Sequence, residues 1–135
     1  MASIINASPT NGIVQTADGS GVLKCQANGV TTNALAWVRF DASSGSSCTV
    51  NASYNVSSVT YNATGLYTVN FTNTLSDANY TVCGSCGVLP GAAAGSLGIA
   101  DNSVLPSTSA VKVYSVALTN LLANYTRMSV AIFGN

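Results

Sequence analysis

The 135-residue chain contains no histidine and no glutamate. That removes the commonest general base, the Ser–His pair of hydrolytic nucleophiles and the commonest imidazole metal ligand. Charge of either sign is scarce. Lys24, Arg39, Lys112 and Arg127 balance Asp18, Asp41, Asp77 and Asp101, giving 6% charged residues and a net charge of zero. An ordinary soluble domain carries about a quarter. With so few bases there is no basic stripe with interleaved aromatics, so nucleic acid is not an expected partner. No apolar run approaches the ~18 residues that span a bilayer, and no membrane partner is expected either. The lead Met1-Ala2-Ser3-Ile4-Ile5-Asn6 lacks the basic and long apolar regions of a signal peptide. It predicts synthesis and folding in a cytoplasm.

Polarity comes instead from Ser, Thr and Asn, which suit turns and strand faces and are poor in helix interiors. The length fits one domain with a real core. A neutral chain with positive mean hydropathy should associate unless it buries more surface, which points to a homo-oligomer or a larger assembly.

The clearest local signal lies between Trp37 and Tyr80. Ser53-Tyr54-Asn55-Val56-Ser57-Ser58-Val59-Thr60-Tyr61 reads as a strand that turns through Asn62-Ala63-Thr64-Gly65 into Leu66-Tyr67-Thr68-Val69-Asn70-Phe71-Thr72. Tyr67, Val69 and Phe71 share one face and Thr68, Asn70 and Thr72 the other, the period of a half-buried strand. Gly65 is free to take the positive φ a tight turn needs.

Further strands are expected over 13–16, 22–26, 35–40, 48–52, 80–83, 96–100, 112–118 and 127–133. In the third of these, Trp37 and Arg39 oppose Val38 and Phe40. Turns are expected at Asp18-Gly19-Ser20-Gly21, Asn28-Gly29, Ser43-Ser44-Gly45-Ser46 and Asp77-Ala78-Asn79. Residues 84–95 read as loose, 104–109 as a surface loop, and 120–124 as a single helical turn, too short to be a stable helix. Short strands broken by turns at this spacing predict an all-β fold, an antiparallel β-sandwich or jelly roll. An N-terminal arm over 1–12 would precede one sandwich domain over 13–135.

Catalytic chemistry finds little to stand on. Each aspartate sits in or beside a turn, the usual place for that side chain. A glycosidase would need two of them brought together across the fold. Asp18-Gly19-Ser20-Gly21 resembles the start of a calcium loop but lacks further acidic ligands. Cys83-Gly84-Ser85-Cys86 has CxxC spacing, and Cys25 and Cys48 could complete a Cys₄ zinc site. In a regular strand, however, Cys83 and Cys86 point to opposite faces, so a shared metal or a disulfide needs a kink at Gly84. Small, reduced core thiols are the favoured reading, with zinc or disulfides as the alternatives. The triplets that begin at Asn51, Asn55, Asn62, Asn70, Asn79 and Asn124 have the form of glycan acceptors, which an Asn/Ser/Thr-rich composition produces by chance. Tyr54, Tyr61, Tyr114 and Tyr125 could line a sugar-binding surface, although tyrosines in strands more often pack.

One resemblance carries further. Ala34-Leu35-Ala36-Trp37-Val38-Arg39-Phe40, Ala52-Ser53-Tyr54-Asn55-Val56-Ser57-Ser58-Val59, Thr64-Gly65-Leu66-Tyr67-Thr68-Val69-Asn70-Phe71-Thr72 and Asp77-Ala78-Asn79-Tyr80-Thr81-Val82 form a run of motifs. Together with the ending Met128-Ser129-Val130-Ala131-Ile132-Phe133-Gly134-Asn135, it resembles a module of tailed-bacteriophage virion proteins, of the kind found distally in tail fibres. The likeness spans roughly residues 20–135. It implies a β-sandwich-like, homotrimeric, non-enzymatic protein on the outer surface of the virion, made in the host bacterial cytoplasm. It implies no catalytic, cofactor-binding or metal residue.

A tail fibre needs a long shaft and a segment that docks on the tail, and a strand is expected here soon after Met1. Read as a whole gene product, the chain is expected to be a stand-alone capsid decoration (cement) protein whose partners are its own copies and the major capsid protein or other virion proteins. Read as an excised fragment, it is expected to be a receptor-binding tip of a tail fibre or spike, recognising the host surface. Ile4 and Ile5 make the arm a candidate for reaching a neighbour, so deleting residues 1–10 should weaken particle binding.

Overall fold

The computed structural model describes residues 25–27, 30–87, 94–100 and 106–134. Ten strands lie among them: β1 (Gln26–Ala27), β2 (Val30–Thr31), β3 (Ala36–Asp41), β4 (Thr49–Tyr54), β5 (Val56–Ala63), β6 (Leu66–Phe71), β7 (Thr81–Gly87), β8 (Ala94–Ile99), β9 (Ala110–Ala117) and β10 (Arg127–Phe133). There is no helix among the described residues, and so none long and apolar enough to cross a membrane. The arm 1–12, the expected strand 13–16, most of the strand 22–26, the turns at Asp18 and Asn28-Gly29, residues 88–93 of the loose segment, and Asp101 lie outside the described residues.

The first two strands pair as a small antiparallel ribbon, and the other eight form one antiparallel sheet in the order β4-β3-β10-β7-β8-β9-β6-β5. The sheet folds over at β7 and β8, which share only two register pairs, Cys86↔Gly95 and Gly87↔Ala94. Its two halves then face each other. Phe40 of β3 meets Tyr67 of β6 edge-on at 5.4 Å between ring centroids, although those strands are not sheet neighbours. This is the all-β antiparallel sandwich expected from the sequence, with the sheet nearly closed on itself.

Alternation builds the core. Tyr67, Val69 and Phe71 of β6, and Met128, Val130 and Ile132 of β10, are all buried, while the residues between them turn outward. Leu35, Val38, Phe40, Val111 and Val113 complete a single cluster between the halves. Burying such side chains stabilises the fold by about 1.5–3 kcal/mol each before entropy is counted.

The open seam lies between the edge strands β4 and β5, which one residue joins. Asn55 there takes φ 52° and is 8% exposed. Asparagine tolerates this left-handed backbone better than most residues. Its side chain is fully engaged: Nδ2 donates to the carbonyls of Leu35 and Asn73, each at 3.2 Å, and Oδ1 accepts the Asn73 amide at 2.8 Å. The expected continuous strand from 53 to 61 is thus broken at its third residue.

Gly65, φ 66°, makes the expected turn between β5 and β6. A Cβ there would come within 2.6 Å of the Ser115 carbonyl oxygen, so the turn admits no side chain.

Neither edge strand carries a charge. Unpaired edges invite chain-to-chain pairing, and bulges are one way of blunting them. The register of β4 on β3 skips Asn51, and that of β5 on β6 skips Ser57 and Asn62. Bulges stand where lysine more often would.

Two expectations are corrected. Gly84-Ser85-Cys86-Gly87 is strand rather than loose chain, because β10 pairs with β7 without interruption from Arg127↔Gly87 to Phe133↔Thr81. Tertiary pairing outweighs the low strand propensity of glycine. Residues 120–124 form no helical turn. Asn120 takes φ 61°, the Ala117 amide donates to the Leu121 carbonyl at 2.8 Å, and Leu122 bridges back to Val116.

Candidate interaction surface

The two outer faces differ in kind. On β5 and β6 the outward side chains satisfy one another. The Asn70 Nδ2 donates to Ser58 Oγ at 3.0 Å and to Thr60 Oγ1 at 3.1 Å, and Asn62 Nδ2 donates to Thr68 Oγ1 at 2.8 Å. Each short polar side chain finds its partner across the strand pair.

The outer face of β3, β10 and β7 has no such lattice. Register places Trp37, Ala131 and Cys83 in one row and Arg39, Ser129 and Ser85 in the next, with Phe133 opposite Thr81. The two rows and Phe133 line a shallow, open concavity of about 640 Å³. Trp37 is 40% exposed and Phe133 38% exposed. The alternation that sends Met128, Val130 and Ile132 inward leaves Ala131 and Phe133 outside. Trp37, Ala131, Cys83 and Phe133 form the apolar part of the concavity; Arg39, Ser129 and Ser85 make a polar row beside it, and Asp41 and Arg127 continue the outward face beyond that row.

The cysteines are free. With β7 regular through Gly84, Cys83 faces the outer concavity while Cys86 packs against the core. The kink that a shared CxxC site requires does not occur. Cys48 also packs against the core, but Cys25 and Cys83 are exposed, which corrects the expectation of core thiols for those two. Burial pushes the Cys48 thiol up to about 11, and the Asp41 carboxylate adds to the effect. Burial raises Cys86 as well. Both are therefore poor nucleophiles at neutral pH. Among the described residues no cluster of metal-ligating side chains forms.

The described aspartates hold turns. Asp41 Oδ1 accepts the Ser43 amide at 2.7 Å and Asp77 Oδ1 accepts the Asn79 amide at 2.7 Å. Hydrogen bonds from the Ser43 hydroxyl and amide keep the Asp41 carboxyl below its ordinary value. Several of the glycan-like asparagines are equally committed. Beyond Asn55, Asn62 and Asn70, Asn124 Oδ1 accepts both the Gly65 amide and the Tyr67 hydroxyl at 2.8 Å. The tyrosines do not converge on a sugar-binding surface. Tyr125 is buried, Tyr61 packs edge-on to Tyr67, and Tyr114 lies over Gly98.

No protein-family model matches the chain, and no curated protein or solved structure matches it.

Sequence patterning had already separated Trp37 and Arg39 from Val38 and Phe40. The register that sets Trp37 beside Ala131 and Cys83 is long-range and has no local signature.

Proposed function

We propose that this protein is a non-enzymatic structural protein of a tailed-phage virion, a capsid decoration protein. It works by covering apolar sheet surface against its own copies, as a homotrimer, and against capsid protein. The reading draws on the resemblance of the motif run from Ala34 to Val82. The observation that carries it is the concave face of Trp37, Ala131, Phe133 and Cys83 on a chain of net charge zero with 6% charged residues. Interface cores are depleted of charge and enriched in aromatics, and this face has that character.

Copy number tests the proposal. Quantitative mass spectrometry of purified virions should find hundreds of copies per particle. A few to a few dozen would favour the receptor-binding fibre or spike tip, and none would reject both.

A further inference from the structure

A second apolar feature projects from the molecule. The loop between β9 and β10 presents Leu118, Leu121 and Leu122 at 80%, 69% and 44% exposure. Exposed leucines usually sit on yielding chain, but this loop is pinned at several points. Asn120 donates its amide to the Ala117 carbonyl at 2.9 Å, and Ala123 donates to the Ser115 carbonyl at 3.1 Å. The buried Ser115 hydroxyl returns a bond to the Ala123 carbonyl at 2.6 Å. Asn124 ties the base of the loop to Gly65 and Tyr67. The leucines are thus held out on a preorganised support, which lowers the ordering cost of any contact they make.

The knob cannot reach the concavity of its own chain. The loop enters β10 at Arg127, whereas Phe133 lies at the opposite end of that strand, roughly 20 Å away, and Trp37 lies opposite Ala131, roughly 13 Å along it, at the usual rise per residue. Only another molecule can bring the two together. No charge lies in residues 118–124, and Arg39 is the sole charged residue lining the concavity. Docking would then bury no opposed like charges and strand no ion pair. The exposed parts of the three leucines and two aromatics supply on the order of 500 Å² of apolar area, a substantial share of the ~1,200 Å² at which specific interfaces begin.

We propose that the Leu118–Leu121–Leu122 knob of one copy seats in the Trp37–Ala131–Phe133 concavity of a second copy. The contact is head-to-tail, and such contacts close into rings when the rotation permits and otherwise continue as filaments. Closure at three rests on the reading of the protein as a homotrimeric decoration protein; the knob-to-concavity contact does not.

Two variants test it by light scattering after size exclusion. L118S/L121S removes the knob and A131R fills the concavity. Wild type should run as an assembly, either a closed ring, at about three times 13.6 kDa if trimeric, or a filament. Each variant alone should fall to a monomer, and an equimolar mixture should recover a dimer and nothing larger, because one intact knob and one intact concavity remain. A wild-type circular dichroism spectrum and a cooperative melt establish folding, since loss of assembly by itself lowers the midpoint, and F133S replaces A131R if that variant does not fold. A monomeric wild type, a knob variant of unchanged mass, or a mixture that stays monomeric would each overturn the proposal. Virion binding is scored separately: a head-to-tail ring that does not bind particles upholds this contact and overturns the decoration reading.

Discussion

On the outer face of β5 and β6, Asn70 and Asn62 donate to Ser58, Thr60 and Thr68, and the face closes on itself. On the outer face of β3 and β10, Trp37, Ala131 and Phe133 stand beside one another with no polar lattice between them. Both faces belong to one sheet; the first carries no charge, and the second carries Arg39, Asp41 and Arg127 in the rows beyond Trp37 and Ala131. The first meets water through mutually satisfied amides and hydroxyls, whereas the second meets it through apolar surface that water solvates poorly. Lack of charge on a chain is therefore two different properties. It is tolerable where Ser, Thr and Asn pair across strands, and it is an invitation to association where aromatics line up instead.

The deepest way to break the comparison is to release the corner that joins the two halves. Asn55→Ala removes three side-chain hydrogen bonds, takes their partner from the buried Leu35 carbonyl and from the half-buried amide and carbonyl of Asn73, and puts a residue intolerant of positive φ at 52°. We expect a loss of about 3 kcal/mol in urea denaturation. A change under ~1 kcal/mol would mean that the corner is held by something else.

Alkaline pH should loosen the shared core next. Cys48, Cys86, Tyr67 and Tyr80 are all raised by burial, Cys48 from 9.0 to about 11. A folded-state value above the unfolded one means that the unfolded chain releases its proton first. The stabilisation is therefore complete below about pH 9 and is lost as pH rises through 11. Denaturation midpoints should fall across that window, and less steeply in Cys48→Ala. A flat profile would contradict the burial of these groups.

The faces themselves are separated by a smaller pair of changes. Asn70→Ala, which opens the polar lattice, should cost about 1 kcal/mol. Cys83→Ser, on the apolar face, should leave monomer stability within about 0.5 kcal/mol. Equal losses would erase the distinction drawn here. The smallest effect is kinetic: in the L118S/L121S monomer at pH 8 the exposed Cys25 and Cys83 should react with iodoacetamide well before Cys48 and Cys86, as read by peptide mass spectrometry.

Patterning made the strands legible where it was local. The alternation in Tyr67-Thr68-Val69-Asn70-Phe71 and in Met128-Ser129-Val130-Ala131-Ile132 places inward and outward residues without any knowledge of the fold, and Gly65 marks its own turn. What escaped depends on partners distant in sequence. Asn55 looks like one more polar strand residue until Leu35 and Asn73 surround it. Gly84 and Gly87 look like loop until β10 pairs with them. The leucines of the β9–β10 loop carry helix-forming propensity, and the bond from Ala117 to Leu121 and the bridge to Val116 override it.

The account turns on whether the Trp37–Phe133 face is covered when the protein assembles, and Cys83 is a probe already in place on that face. Its alkylation rate should drop at least tenfold from the L118S/L121S monomer, whose concavity is unaltered, to the wild-type assembly, while Cys25 changes by less than twofold. Equal Cys83 rates in the two states would mean that this face stays open to water and that the assembly forms elsewhere.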